Sequence, residues 1–277
     1  MLLRPLLFIF FLLPITVVEA VDQARERLLA AELVERIGGH EALWLNDNSG
    51  RFLSLKVERP EVEKRGGVIL LHDMGAHPDW PEVISPLRYG LPKSGWPTLS
   101  LQLPLLSNEV ALTAKNQQKI IDQAQARIVA AVEYFTGIGV YNIVLIGHGL
   151  GATAISYFLS GELEPRHAVY IKAFIAIRFR IHEKLPKVYL PENLLQLKTA
   201  LPILDILGTQ ESDDVQQHAR ERKAVAMQAQ SLNYRQERVS SANNNFWAAE
   251  GVLLSRIMGW LRLNAAGTEV VLEPLNP

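Results

Sequence analysis

The residues best placed to do chemistry surround a glycine-rich turn at 147–151, which reads Gly-His-Gly-Leu-Gly. An apolar run at 143–146 precedes this turn and predicts a buried strand, and the residues after the turn predict a helix. A helix that begins after such a turn presents free backbone N–H groups, which can bind a carboxylate or a phosphate. We therefore expect His148, Gly149 and Leu150 to line a binding site.

A second group of reactive side chains follows another apolar run, at 67–71. His72 and Asp73 come directly after it, and His77 and Asp79 lie a few residues further on. Because the carboxyl ends of parallel strands meet at one edge of a sheet, we expect these side chains to approach the glycine-rich turn. Such a set could supply a nucleophilic histidine or hold a metal. The spacing matches no established ligand motif, however, so we expect no metal and no cofactor.

The elements that must position these groups are short apolar runs that alternate with amphipathic segments. The expected strands are 67–71, 97–103, 142–146, 173–177 and 203–207, and the expected helices are 22–37, 120–135, 150–160, 214–230 and 246–263. Turn-forming residues at 46–50 predict an antiparallel hairpin before them. The pattern predicts an α/β fold, with a doubly wound, mostly parallel sheet and an antiparallel N-terminal hairpin. The stretch 178–200 is long enough for a small flap and too short for a large lid.

This order of elements and the glycine-rich turn resemble the α/β-hydrolase superfamily, over essentially the whole chain after its first twenty residues. In those enzymes the turn is the nucleophile elbow, G-x-S-x-G, which exposes a serine above the sheet. Here Gly147 and Gly151 match the flanking glycines, and Gly149 stands where the serine would be. The phrases at 71–80 and 95–104 also resemble an uncharacterised family of exported proteobacterial proteins, a domain of unknown function, which implies no established activity.

The same resemblance implies further losses from the hydrolase machinery. The catalytic histidine would fall at Asn244, and no histidine follows His218. An amide cannot take and return a proton near neutral pH. The acid would follow the strand at 202–208, where the candidates are Glu211, Asp213 and Asp214. We do not choose among these three, and we favour the alternative that an acid there caps the next helix.

The loop that would stabilise an oxyanion is altered as well. Related hydrolases have His-Gly after the strand, whereas this chain has His72-Asp73. If Asp73 is directed into the site, its carboxylate would oppose the developing negative charge of a transition state. If Asp73 points away and caps the turn, its charge would do no harm. Both orientations remain open at this stage.

The magnitudes favour a protein without hydrolase activity. Removing the triad from a serine hydrolase costs about 10⁶-fold in kcat, which leaves roughly 10³–10⁴ over water. We therefore expect a non-catalytic protein that binds a small ligand or an envelope partner through the elbow and the altered loop. The expected ligand-binding residues are His72, Asp73, Met74, His148, Gly149 and Leu150. One alternative is an esterase-type enzyme with an unorthodox site around His72, Asp73 and His148, and another is an envelope assembly factor that uses exposed helices such as 214–230.

Composition and the N-terminus limit location and partners. The chain has 277 residues, a net charge of −1 and no cysteine, which excludes disulfides and cysteine-based sites and argues against nucleic-acid binding. Arg4, the apolar run after it and the small residues before Val21 predict a signal peptide at 1–20, cleaved after Ala20. We expect a single periplasmic or secreted domain at 21–277, without a stable membrane anchor. An uncleaved anchor is the alternative, although the apolar run is shorter than the roughly 20 residues that a span needs.

Overall fold

The computed structural model describes residues 21–105, 113–161, 167, 169–179, 201–265 and 267. The predicted signal peptide at 1–20 lies outside these residues, as does almost all of the predicted flap at 178–200. None of the described helices is both long enough and apolar enough to cross a membrane.

The N-terminal part folds as predicted, with one helix followed by a hairpin. Helix α1 (Gln23–Ile37) begins at Asp22, whose side chain accepts a hydrogen bond from the Arg25 backbone N–H at 2.9 Å. It ends at Gly38, whose left-handed φ of 87° is typical of a helix C-cap. Strands β1 (Ala42–Asp47) and β2 (Gly50–Val57) then pair in antiparallel fashion around a two-residue turn.

The described strands form one eight-stranded sheet with the order β1-β2-β4-β3-β5-β6-β7-β8. Strand β2 runs antiparallel to both of its neighbours, and the strands from β4 to β8 are parallel to one another. The remaining strands are β3 (Gly67–Leu71), β4 (Thr98–Leu101), β5 (Ile143–His148), β6 (Ile171–Ile177), β7 (Ile203–Gly208) and β8 (Tyr234–Val239). The doubly wound α/β sheet with an antiparallel N-terminal hairpin is thereby confirmed.

Helices cover both faces of this sheet, and each face has its own apolar core. The helices after α1 are α2 (Ile84–Gly90), a 3₁₀ turn (Leu91–Ser94), α3 (Ala114–Gly137), α4 (Leu150–Ser160), α5 (Asp213–Gln228) and α6 (Glu250–Asn264). Helices α3 and α4 pack on one face, where Ile128 and Phe135 of α3 are buried. Helices α2 and α6 pack on the other face through side chains such as Leu87 and Ile257. Strands covered on both sides are mostly apolar, which explains why they were predictable.

Several elements differ from the predictions. Helix α2 and the 3₁₀ turn after it were not among the expected helices. Strand β8 was not predicted, because it is a half-exposed strand at the sheet edge whose Tyr-Arg-Gln-Glu-Arg-Val sequence lacks an apolar pattern. Helix α6 begins at Glu250 rather than at residue 246. Phe246 and Ala248 have positive φ values of 56° and 59°, which no right-handed helix accommodates.

Candidate functional site at the glycine-rich turn

The glycine-rich turn has the backbone geometry of a nucleophile elbow. Gly149 joins β5 to α4 with φ 53° and ψ −113°, and it is the residue immediately before the helix. Its N–H donates to the Ile177 carbonyl at the end of β6, at 3.0 Å. Residues with a side chain adopt this conformation only under strain, so glycine stabilises the turn by avoiding a β-carbon.

The flanking glycines allow the strand and the helix to approach closely. A β-carbon at Gly147 would lie 2.4 Å from the backbone nitrogen of Ala152. One at Gly151 would lie 2.3 Å from the Leu71 carbonyl oxygen at the end of β3. Both distances are too short for non-bonded atoms, which explains why these two positions require glycine.

The Asp73 side chain occupies the space where a nucleophile at position 149 would extend. A β-carbon at Gly149 would lie 2.0 Å from Cγ of Asp73 and 2.1 Å from its Oδ1. Oδ1 accepts hydrogen bonds from the backbone N–H groups of Met74 at 2.8 Å and Leu150 at 2.7 Å. In an active hydrolase the N–H after the nucleophile and one from the loop after this strand form the oxyanion hole. Asp73 is therefore directed into the site, and its carboxylate accepts the two N–H groups at the positions that form the oxyanion hole in such a hydrolase.

A buried arginine holds the other oxygen of this carboxylate. Nη1 of Arg178 lies 3.1 Å from Oδ2 of Asp73, and Nε of Arg178 lies 3.1 Å from Oε2 of Glu211. Arg178 follows β6 with a positive φ of 50°, which is uncommon outside glycine and is found at positions that the surrounding structure fixes. Arg178 was not among the site residues predicted from the sequence. Its position, a charge directly after an apolar parallel strand, was the signal that could have identified it.

The structure separates the three candidate acids by their surroundings. Glu211 is buried and faces the site, where its partner is the Arg178 guanidinium rather than a histidine. Asp213 and Asp214 lie in the exposed first turn of α5, where negative charge is stabilised by the helix dipole. The cap position itself is taken by Ser212, so the expected cap by one of these acids is wrong.

His72 has a structural role that uses both of its ring nitrogens. Nδ1 donates to the Asp73 carbonyl oxygen at 2.7 Å, and Nε2 accepts from the Leu103 backbone N–H at 2.9 Å. These partners require the neutral ring, with its proton on Nδ1. Burial lowers the pKa of His72 to about 4, which also keeps the ring neutral. The histidine thereby fixes the backbone of Asp73 beside β4.

The depressed pKa of His72 predicts a loss of stability in acid. The unfolded chain binds a proton as the pH falls through 6.5, whereas the folded ring stays neutral down to about pH 4. The contribution of His72 is thus complete above pH 6.5 and declines between pH 6.5 and 4, by about 1.4 kcal/mol per pH unit. Urea unfolding at pH 6.5 and 5 should show a loss about 2 kcal/mol larger for wild type than for His72→Gln. Equal losses in the two proteins would contradict this role.

His148 and Asn244 meet beside the turn without forming a proton relay. Nε2 of His148 donates to the backbone carbonyl of Asn244 at 3.2 Å, and the Asn244 side chain itself is exposed. Burial lowers the pKa of His148, an effect that the nearby Asp73 charge opposes. Position 244 is therefore close to the elbow, as the resemblance implied, but only its backbone takes part. Among the described residues, no three histidine, aspartate or glutamate side chains are grouped as metal ligands.

An open cavity of about 790 Å³ lies next to this site. Its floor includes Asp73, Met74 and Leu150, and its far wall is one face of α1. The α1 residues that line it are Arg25, Leu29, Glu32, Leu33 and Arg36. This wall combines apolar and charged side chains, so the cavity suits an amphipathic molecule.

A buried arginine fastens α1 in this position. Arg127 of α3 pairs with Glu26 of α1 at 2.7 Å and with Asp47 at the hairpin turn at 2.8 Å. It also donates to the Gln102 carbonyl after β4 at 2.6 Å. Because charged groups this deeply buried require partners, these contacts fix the spacing between α1 and the sheet.

Solved structures of α/β-hydrolases resemble this chain over most of its length. An α/β serine hydrolase homologue from Coxiella burnetii has a TM-score of 0.60 at 15% identity, covering 80% of this chain and 97% of that one. An α/β serine hydrolase without lid from Xanthomonas campestris has a TM-score of 0.58 at 13% identity, covering 85% and 96%. Esterase 2 from Thermogutta terrifontis has a TM-score of 0.64 at 13% identity, covering 80% and 93%. At these identities the likeness shows the fold alone.

Comparison of sequences gives a narrower relationship. No curated protein matches the chain. A model of the family described as "Protein of unknown function (DUF3530)" matches residues 16–119 and 107–263. These matches include both phrases that suggested a domain of unknown function, at 71–80 and 95–104, and they span most of the sequence. The chain therefore belongs to the DUF3530 family, and its own fold is that of the α/β-hydrolases.

Proposed function

We propose that this protein is an exported, non-catalytic binding protein that holds a small ligand, or a segment of an envelope partner, in the cavity beside the glycine-rich turn. The observation that carries the proposal is the position of the Asp73 carboxylate. It fills the volume of the missing nucleophile and accepts both N–H groups of the oxyanion hole. Acyl transfer needs those N–H groups for the negative charge that develops in the transition state.

The strength of these contacts supports the proposal that the Asp73 carboxylate stays bound to the two N–H groups. Asp73 accepts two backbone hydrogen bonds and pairs with Arg178. Hydrogen bonds to charged groups contribute roughly 1.5–3 kcal/mol each, and every 1.4 kcal/mol changes an occupancy about tenfold. The neutral carbonyl oxygen of an ester would have to displace this carboxylate, and it would therefore rarely reach the N–H groups.

The alternative enzyme, with His72, Asp73 and His148 as its reactive groups, receives less support from the contacts. Both ring nitrogens of His72 have backbone partners, and neither carboxylate oxygen of Asp73 is without a donor. His148 donates its Nε2 proton to a carbonyl, and the lone pair on its Nδ1, which has no hydrogen-bond partner among the described residues, is buried away from the surface. A general base needs a free lone pair within reach of the substrate, so the set is arranged for structure rather than for proton transfer.

One experiment with two readouts tests the proposal. The purified protein should bind the amphipathic dye 1-anilinonaphthalene-8-sulfonate, and it should hydrolyse p-nitrophenyl butyrate no faster than buffer does. Leu29→Trp should weaken dye binding about tenfold, because the larger side chain on α1 occupies cavity volume that the dye would otherwise fill. Leu28→Trp is the matched control, since Leu28 is 67% exposed on the same helix and does not line the cavity.

The outcomes that would overturn the proposal are distinct for its two halves. Ester hydrolysis well above the spontaneous rate, lost in His148→Gln with the fold retained by circular dichroism, would establish the alternative enzyme. Equal dye affinity in the Leu29 and Leu28 variants would place the binding surface elsewhere on the molecule.

A further inference from the structure

A second cleft, of about 550 Å³, lies at the amino ends of the parallel strands, whereas the glycine-rich turn lies at their carboxyl ends. It is formed where β3 and β4 begin, between the segment at 62–65, the 3₁₀ turn and one face of α6. Its lining residues include Arg65, Lys93, Trp96, Gly259 and Arg262. We call it the basic cleft.

The walls of the basic cleft are fastened to one another. The Arg65 backbone N–H donates to the Gly95 carbonyl at 2.8 Å, and the Asn142 side chain donates to the Arg65 carbonyl at 2.6 Å. The Ser94 hydroxyl donates to the Met258 sulfur at 3.3 Å, which joins the 3₁₀ turn to α6. Contacts from three separate segments thus hold the cleft open in a defined shape.

Among the residues that the structure describes, the positive charges of the basic cleft have no acidic partner. Arg65, Lys93 and Arg262 line it together with a single acid, Glu63. Within the ranges that the structure describes, none of these three cations forms an ion pair, whereas the buried Arg178 is paired with two acids. The chain as a whole has slightly more acidic than basic side chains, so this cleft is a local excess of positive charge.

We propose that the basic cleft binds a phosphate monoester, carried either by a small molecule or by a lipid headgroup. The two guanidinium groups and the ammonium match a doubly charged phosphate. The hydroxyls of Ser94 and Ser255 can supply further hydrogen bonds, since a thioether is only a weak acceptor for the first. The organic part of the ligand lies against Trp96 and Met258. This site is independent of the cavity beside the glycine-rich turn.

Titration calorimetry with phenyl phosphate, at an ionic strength of about 0.01 M to limit screening, tests the site. Wild type should bind with one site, and Lys93→Glu and Arg262→Glu should each weaken binding about tenfold or more. Arg220→Glu, an exposed reversal on α5, is the control for net charge. Gly259→Leu should also abolish binding by filling the cleft, while Gly251→Leu on the same helix should not. A β-carbon at either glycine meets no atom within 4 Å, so both variants should fold.

Vesicles distinguish the two sources of the phosphate. Flotation with phosphatidylcholine vesicles that contain phosphatidic acid, but not with phosphatidylcholine alone, would assign the site to a lipid headgroup. Binding of phenyl phosphate without flotation would assign it to a soluble ester. The proposal fails if wild type binds neither probe, or if Gly259→Leu and Gly251→Leu bind equally well.

Discussion

Replacing Gly149 by alanine is expected to lower the free energy of unfolding by about 4 kcal/mol. A backbone held at φ 53° and ψ −113° costs a residue with a side chain about 1–3 kcal/mol. The added β-carbon would also lie 2.0 Å from Cγ of Asp73, and overpacking of this kind costs about 1–3 kcal/mol. Urea unfolding of the variant against wild type measures the sum.

Two further variants separate these costs. Gly139→Ala imposes a positive φ, 81° in this case, with no atom within 4 Å of the new β-carbon, so it reports the cost of a positive φ without a steric clash. In the Asp73→Ala background, Gly149→Ala should be less damaging by about 1–3 kcal/mol, because the clashing carboxylate has gone. Strict additivity of the two substitutions would mean that Asp73 does not occupy the nucleophile's space. Restoring serine at position 149 without removing Asp73 should, by the same contacts, destabilise the fold and yield no esterase activity.

Asp73→Ala is expected to cost about 3 kcal/mol of stability by itself. The substitution leaves the N–H groups of Met74 and Leu150 without their acceptor and removes one of the two acidic partners of Arg178. Breaking a fully buried pair costs about 3–5 kcal/mol, and the 23% exposure of the Asp73 side chain places this case at the low end. Asp73→Asn keeps an acceptor of the same shape without the charge, so it should cost less.

Chemical rescue provides the decisive control for Asp73→Ala. If the emptied oxyanion hole binds anions, sodium formate should raise the unfolding midpoint of the variant above that in sodium chloride of equal ionic strength. Wild type, whose hole already contains a carboxylate, should show no such difference. A formate effect of the same size in both proteins would indicate a general salt effect and would remove the evidence for an occupied hole.

The contacts of Asp73 change how the missing serine is understood. In the hydrolase fold the elbow, the oxyanion hole and the acid loop converge to act on a substrate. In this chain the residues at these positions contact one internal carboxylate, that of Asp73. Its contacts with Met74, Leu150 and Arg178 connect the ends of β3, β5 and β6. Glu211, after β7, extends this connection to a fourth strand. Backbone N–H groups at these positions stabilise a transient negative charge in a hydrolase. In this chain they bind the carboxylate of Asp73.

Much of the fold was predictable because a strand that is buried on both sides has a mostly apolar sequence. The apolar runs that became β3, β5 and β7 needed no tertiary information, and neither did the glycine C-cap of α1. The edge strand β8 was not predicted, because it is partly exposed to solvent and its polar residues show no apolar periodicity. The start of α6 was placed too early because positive φ values at Phe246 and Ala248 arise from loop contacts that composition does not reveal.

The candidate site, like the fold, has some features that the local sequence predicts and others that depend on long-range contacts. The sequence by itself predicted that Gly149 stands at a nucleophile position, because this position can be read from a recognisable strand–turn–helix. It also predicted that Asn244 stands at a histidine position, because no histidine follows His218. Only the tertiary structure decided that Asp73 is directed into the oxyanion hole, that Arg178 holds it there and that Glu211 is the acid facing the site. Residues 73 and 178 are far apart in sequence, and side-chain direction at strand ends depends on which strands become neighbours. That pairing is a property of the folded sheet, and no local pattern specifies it.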